Sequence, residues 1–337
     1  MRKIVLIPAY KPDNTLTDLV LELSKNGMEI VVVNDGSGEE YAGVFESVKQ
    51  TAAVVTCGRN GGKGKALKRG LKYIDSHFEK PYIIVTADAD GQHRVEDIIR
   101  VARSAEENPG ALTIGARTIS RDMPTRNWFG NVYTKIAFLC ATGKRVGDTQ
   151  TGLRGFSDKA LPFMLNVRGK RYEYEMNVLM WWAHSNSKIV ETPILTLYED
   201  GNKNSHFKAV LDSIRIYWEI IKFSAPPFLC FVLDVALFAL LYYICLPFWA
   251  ANVLARLPAA LIHFFTMKTL ISKYKAFTRL SALRYAAAAI VILALNTLLL
   301  WGLLALGMNA VWAKVVVDVA MFFVTFVLQR KHLYVRG

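Results

Sequence analysis

The sequence predicts an α/β catalytic domain built on a doubly wound sheet, followed by an all-α membrane domain of four helices. Three observations carry that prediction. In the first hundred residues, short β-branched runs alternate with helix-patterned segments. Acidic residues almost vanish after Glu219: residues 1–222 hold 26 Asp and Glu against 31 Lys and Arg, whereas residues 223–337 hold 2 against 10. Four apolar stretches then follow, each close to the ~20 residues that a spanning helix needs. At 337 residues the chain is long enough for two domains with separate cores.

The first elements read in order. "KIVLIPAY" and "EIVVVNDGS" are strands ending in turn residues, and "DNTLTDLVLELSKNG" between them carries helix-capping chemistry and a glycine stop. Strand, helix and strand over some thirty residues imply a right-handed parallel crossover. "AVVTCG", the glycine-bearing "RNGGKGKALKRGLKYID" and "YIIVTADADGQH" continue the alternation. Ligands of such sheets sit beyond the carboxyl ends of the strands. "IPAY", "NDGS" and "TADADGQH" all fall there and are expected to line one crevice.

If the strand continues through Asp88 and Asp90, their i, i+2 spacing aims both carboxylates to one side. Oxygen ligands without a His/Cys cluster suit a hard divalent cation, Mg²⁺ or Mn²⁺, with Gln92 as a further ligand. "NGGKGKAL" lacks the Walker spacing and its Lys-Ser/Thr end, so it reads as a loop entering a helix at 66–74.

Residues 124–142 and 206–223 mix aromatic and aliphatic residues with bases. In the second, Phe207, Val210, Leu211, Ile214, Trp218 and Ile221 share one helical face, and Lys208, Arg215 and Lys222 lie outside it. Beside a membrane domain this favours helices in the lipid interface over ordinary core helices. The apolar stretches run over 226–246, 250–271, 285–306 and 311–328, with short uncharged links "PFWA" and "GMNA". Lys273, Lys275, Arg279 and Arg284 sit between the second and third, and Arg330, Lys331 and Arg336 in the tail. By the positive-inside rule these basic segments are cytoplasmic, as is the catalytic domain.

"ARLPAALIHFFTMKTLISK" (255–273) aligns without gaps on "AKVVVDVAMFFVTFVLQRK" (313–331), which suggests two similarly oriented helical hairpins. Asp234 and Asp318 are the only acids after residue 223, with Asp318 the deeper. A substrate path and a structural partnership with Asn296 or a basic residue are both open readings. The net charge of +13 comes partly from bases flanking apolar runs, which argues against nucleic acid. The cysteines show neither zinc nor disulfide spacing, and Pro8 cuts the first apolar run too short for a signal peptide.

"PAY" at 8–10, "NDGS" at 34–37, "NGGKGKAL" at 60–67, "DADGQH" at 88–93 and "DTQTGLRGF" at 148–156 occur in the order of family-2 glycosyltransferases. Through about residue 222 the chain resembles the branch of dolichol-phosphate mannose synthase and polyprenyl-phosphate glucosyltransferases. Its C-terminal part resembles a GtrA-like membrane domain. The resemblance implies a GT-A fold, the Rossmann-like fold of nucleotide-diphospho-sugar transferases.

It further implies that Pro8, Tyr10, Asp35, Asp88 and Lys63 bind the nucleotide sugar, and that Asp88, Asp90 and Gln92 surround the metal. Arg117, Arg126, Lys203 and His206 would face the acceptor phosphate, with Arg121 a competing candidate. Catalytic roles fall to Asp90, Asp148 and Arg117; Asp148 would orient or deprotonate the acceptor, or simply cap a turn. Glu173 and Glu175 match an acidic position before a helix. Lys11-Pro12-Asp13 and Asn34 depart from the family's pattern.

The expected domains are 1–205 for the transferase, 206–224 for an interfacial helix and 225–337 for the membrane part. The expected reaction moves a hexose, from a GDP-mannose or UDP-glucose type of donor, to a polyprenyl phosphate with inversion. Expected partners are that donor, undecaprenyl or dolichyl phosphate and the lipid bilayer; a homo-oligomer is left open. The alternatives are a processive polysaccharide synthase, for which a Gln-x-x-Arg-Trp segment is missing, and a lipid-linked-sugar flippase or membrane anchor.

Overall fold

The computed structural model describes residues 1–117, 134–135, 138–139, 142–185, 187–195, 228–271 and 279–328. The chain divides into two compact units: Met1–Ala183 with Ser187–Glu219, and Ile220–Gly337 with His184–Asn186. The predicted interfacial segment at 206–224 lies outside the described residues, as do Arg121, Arg126, Lys203, His206 and most of 124–142.

The first unit is a seven-stranded sheet flanked by helices. In chain order its elements are β1 (Arg2–Ala9), α1 (Thr15–Lys25), β2 (Glu29–Asn34), α2 (Ala42–Val48), β3 (Ala53–Thr56), α3 (Lys63–His77), β4 (Tyr82–Thr86) and α4 (Val95–Glu107). After them come β5 (Leu112–Arg117), β6 (Arg154–Ser157), α5 (Leu161–Asn166), α6 (Glu173–His184) and β7 (Ile189–Ile194). The strand order is β3-β2-β1-β4-β6-β5-β7. β4 is buried along its whole length, which is why it reads as an unbroken apolar run and not as an alternation. Val5, Ile7, Val32 and Val85 meet Leu16, Leu23, Ile98 and Val101 from the helices in one core.

Three features refine or differ from the sequence reading. The sheet is mixed: β6 runs antiparallel to both β4 and β5. As a result its first residues, and not its last, lie at the carboxyl end of β4, where Arg154 pairs with Thr86. Secondly, β4 stops at Thr86, so Asp88 and Asp90 stand in the turn beyond it and not on the strand. Gly91, at φ 73°, lets that turn reverse. The helix foreseen at 66–74 is longer, starting at Lys63 and ending at His77.

The second unit contains four described helices: α7 (Phe228–Tyr243), α8 (Phe248–Ile271), α9 (Arg279–Ala305) and α10 (Ala310–Leu328). Among the described residues two segments, Phe248–Thr266 and Ala286–Ala305, are long and apolar enough to cross a membrane. Only 22% and 11% of their most apolar windows are buried within the structure. Leu257, Leu261, Phe265, Ile290, Leu298 and Trp301 are exposed, far more apolar surface than a water-soluble monomer presents.

Inside this unit the polar residues converge. Lys314 and Arg256 both meet Asp234 and Asp318; the Lys314 Nζ lies 2.9 Å from Asp234 and 3.0 Å from Asp318. Asn252 accepts from Lys314 at 2.9 Å and donates to Asn296 at 3.1 Å, and Asn296 donates to Asp318 at 2.6 Å. Each of the four helices contributes at least one of these groups. Asp234 and Asp318 thus share one cluster, instead of standing at the different depths read from the sequence. The internal repeat gains physical content here. Ala255 and Ala313, its matched alanines, are both fully buried, and the matched bases Arg256 and Lys314 hold the same two carboxylates.

Candidate active site

The strand order reverses direction between β1 and β4, and a crevice for ligands opens at such a point beyond the carboxyl ends. Register fixes what lines it. Ala9 of β1 is level with Asn34 of β2, and Leu6 pairs with Thr86 of β4. The turns holding Tyr10, Asp35 and Asp88 therefore leave the sheet on the same edge.

Asp35 is buried and accepts two backbone N–H groups, from Gly61 at 2.9 Å and Gly62 at 2.7 Å. It anchors the glycine loop to the end of β2. Asn34 accepts from the Ser37 N–H at 2.9 Å, so the Asn that departs from the family's Asp-Asp pattern closes the turn. Ser37 in turn accepts from the Lys11 N–H at 2.9 Å. Gly36, at φ 71°, has no room for a Cβ, which would stand 2.4 Å from the backbone of Arg59. The loops of "PAY", "NDGS" and "NGGKG" are thus fastened to one another.

Lys63, the first residue of α3, reaches back to Asp88 at 2.6 Å and Glu175 of α6 at 2.9 Å. Burial alone would lower the pKa of this ammonium, but the two carboxylates outweigh it and hold it well above the usual lysine range. Burial would likewise raise Asp88, yet Lys63 first, with His93 contributing, keeps that carboxyl far below the ordinary range. Asp90 goes the other way: burial raises it, and the charge of Asp88 adds to the rise. Its Oδ1 accepts the Gln92 N–H at 3.2 Å.

The antiparallel β6 brings "DTQTGLRGF" into this group. Thr86 donates to the Gly152 carbonyl at 2.8 Å. A Cβ on Gly152 would stand 2.5 Å from Asp88 Oδ2 and 2.8 Å from Lys63 Nζ, so only glycine permits this approach. Arg154 is buried, donating to the carbonyls of Thr151 and Glu175. At the neighbouring strand end, Arg117 grips Asp148 through Nε and, at 3.0 Å, through Nη2. Asp148 also accepts the Gln150 N–H at 2.9 Å.

Asp148 is fully buried, and burial favours its neutral form. The hydrogen bond and charge of Arg117 more than offset this and leave the pKa below the ordinary 3.8. A carboxylate so held is a weak proton acceptor, so the arrangement favours orienting over deprotonating. The linkage sign follows. The pair's stability is complete above the unfolded value of 3.8 and is lost as pH falls from there through the lower folded-state value. Urea unfolding is expected to show an acid-side loss below about pH 4 that Asp148→Asn flattens, the variant being the less stable at neutral pH.

The oxygen-donor set fits a hard divalent cation. Asp88 and Asp90 crowd negative charge together, as the raised Asp90 shows, and further positive charge would relieve that. Among the described residues no three His, Cys, Asp or Glu side chains form a closed cage.

Residues 4–164 match the Glycosyl transferase family 2 profile, and residues 222–334 match the GtrA/DPMS transmembrane domain. The chain thus joins a family 2 glycosyltransferase domain to a GtrA/DPMS transmembrane domain.

This glycosyltransferase is 28% identical over 217 residues to the UDP-N-acetylglucosamine–dolichyl-phosphate N-acetylglucosaminyltransferase of Methanococcus voltae, covering 58% of this chain and 86% of that one. It is 27% identical over 174 residues to the undecaprenyl-phosphate 4-deoxy-4-formamido-L-arabinose transferase of Proteus mirabilis, covering 48% of this chain and half of the other. Its fold is shared with glucosyl-3-phosphoglycerate synthase of Mycobacterium tuberculosis, solved with Mn²⁺, UDP-glucose and phosphoglyceric acid. That likeness has a TM-score of 0.50 at 15% identity, over 66% of this chain and 80% of that one.

Of the site residues expected from sequence, Asp35, Lys63, Asp88, Asp90 and Gln92 gather at the ends of β2 and β4. Pro8 and Tyr10 belong to the same edge, and Arg117 with Asp148 lies at the end of β5. Two side chains of the glycosyltransferase went unassigned in the sequence reading. His93 is buried with Nε2 3.5 Å from Asp88, and Arg154 is buried behind Glu175. A base within the otherwise apolar "LRGF" was the available signal for Arg154.

Proposed function

We propose that the enzyme transfers a hexose from a nucleoside-diphosphate sugar to a polyprenyl phosphate, with inversion, at the cytoplasmic face of a multi-pass membrane protein. The observation that carries this is the joining of two things in one chain. A crevice at the sheet's switch point carries Asp35, Asp88 and Asp90, and a unit of apolar, uncovered helices follows it. Two relatives named for a dolichyl and an undecaprenyl phosphate acceptor support the acceptor class, because the polyprenyl phosphate is what those acceptors share.

In this reading Asp35 positions the glycine loop beneath the nucleotide, and Lys63 stands ready to meet diphosphate oxygens. Asp88, Asp90 and Gln92 hold Mg²⁺ or Mn²⁺, which when bound supplies Lewis-acid neutralisation of the leaving diphosphate. Arg117, held in place by Asp148, stands on the acceptor-phosphate side, where its planar guanidinium suits phosphate oxygens. That phosphate is already anionic at neutral pH, with its second pKa near ~6, so no strong general base is required. Arg126, Lys203 and His206 are retained as acceptor-side proposals from sequence. The domain limits 1–205, 206–224 and 225–337 are likewise proposed.

The test is a donor panel. Purified full-length protein is given labelled UDP-glucose, UDP-N-acetylglucosamine or GDP-mannose, with and without polyprenyl phosphate. Label is expected in the organic phase only when one donor and the lipid phosphate are both present. Label in long water-soluble polymer would instead favour a synthase.

A further inference from the structure

We propose that Lys63 is the resident counter-cation of Asp88 and competes with the divalent cation for that carboxylate, so that the cation binds weakly until a nucleoside diphosphate offers the ammonium a new partner. The inference rests on the reading of Asp88 and Asp90 as the pair facing cation and diphosphate.

One oxygen of Asp88 is held by Lys63, and the other is closed in on two sides. Oδ1 receives Lys63 at 2.6 Å, and Oδ2 faces His93 Nε2 at 3.5 Å. The backbone of Gly152 closes the same flank, leaving no space even for a Cβ between itself, Asp88 and Lys63. Lys63 itself is held from several sides. Its side chain is 14% exposed, its Nζ lies 2.9 Å from Glu175 and 5.6 Å from the centre of the Tyr172 ring. The start of α3 is pinned as well, since a Cβ on Gly62 would meet Arg171 at 2.5 Å and the Lys170 carbonyl at 2.7 Å.

A divalent cation approaching Asp88 therefore meets a fixed positive charge, in a setting where unit charges a few ångströms apart interact strongly. It must displace the ammonium from Asp88. Glu175 provides the second anchor on which the displaced ammonium stays. A diphosphate supplies anionic oxygens to the cation and to Lys63 together, which turns their competition into joint binding. Asp90 has no such internal cation within salt-bridge distance among the described residues, so the two aspartates differ in how readily they accept a metal.

Binding of Mn²⁺ to the detergent-purified full chain, followed by the electron paramagnetic resonance of free Mn²⁺, tests this. The titration is run without nucleotide, with UDP and with GDP. Lys63→Met is expected to bind Mn²⁺ at least about tenfold more tightly than wild type when no nucleotide is present. Lys63→Gln, which keeps a donor between Asp88 and Glu175 without the charge, gives the same direction and guards against a misfolded Met variant. Lys65→Met removes an equal charge two residues away and should leave the affinity unchanged. Equal affinity in wild type and both Lys63 variants overturns the inference while leaving the cation site intact. A gain of the same size in Lys65→Met overturns it too, as a general charge effect. If Mn²⁺ binds to no variant under any condition, the cation-site reading itself has failed, and the inference with it.

Discussion

Replacing Asp88 by Asn is expected to reduce sugar transfer by at least about a thousandfold while leaving the sheet domain folded. The carboxylate stands two residues beyond β4, where the crevice opens, with the Lys63 ammonium 2.6 Å away and the His93 ring beside it. Asparagine keeps the volume and one acceptor oxygen but removes the anion that a divalent cation and Lys63 both need. Folding should survive, because Lys63 retains Glu175 at 2.9 Å and β4 itself is untouched. Asp90→Asn should reduce transfer comparably. Its carboxyl is raised by burial and by Asp88, so it is the more easily neutralised of the two; wild-type transfer should itself fall with pH, and the deficit of Asp90→Asn relative to wild type should narrow. Initial rates with saturating donor, set beside melting temperatures, check this. A variant that retains transfer within tenfold of wild type would remove Asp88 from the site.

The second large effect is on stability, in the membrane unit. Lys314→Met should destabilise it by about 3–5 kcal/mol, because it leaves the buried Asp234 and Asp318 with Arg256 as their remaining base. The side chain of Lys314 is fully buried, whereas that of Arg256 is 24% exposed, so Arg256→Met should cost less. The sign of a compensating change is also fixed. Adding Asp318→Asn to Lys314→Met removes the surplus negative charge and should recover part of the loss. Unfolding in mild detergent, by heat or by titration with a harsher detergent, reads these differences. Equal stability of wild type and Lys314→Met would mean that the four-residue charge cluster does not hold the helices together.

How much of this was legible beforehand depends on the range of the interaction. Strand ends are local events. "IPAY", "NDGS" and "TADADGQH" each announce a strand giving way to polar turn residues, so the edge that carries the site could be read directly. The reversed β6 could not. "RGFS" has no mark of direction, and its partners β4 and β5 lie far from it in sequence. The pairing of Asp88 and Asp90 was argued from strand alternation, but the strand ends two residues before Asp88. The two aspartates stand in the turn that follows the strand. The hold of Lys63 on Asp88 and Glu175 links three distant segments, and nothing in "GGKGK" names those partners. In the membrane unit the two acids stood out because charges are rare there. Arg256 and Lys314 were visible only as matched letters of a faint repeat, and their meeting gives that match a physical reason.

The central claim is transfer of one sugar to a lipid monophosphate, and the structure of the lipid product tests it most directly. The organic-phase product of the full-length protein, made with its preferred donor and a polyprenyl phosphate, would be analysed by mass spectrometry and by proton–proton couplings at the anomeric centre. The account predicts a polyprenol carrying one phosphate and one hexose, with anomeric configuration opposite to that of the donor. A product with two phosphates, several sugars or retained configuration would contradict it.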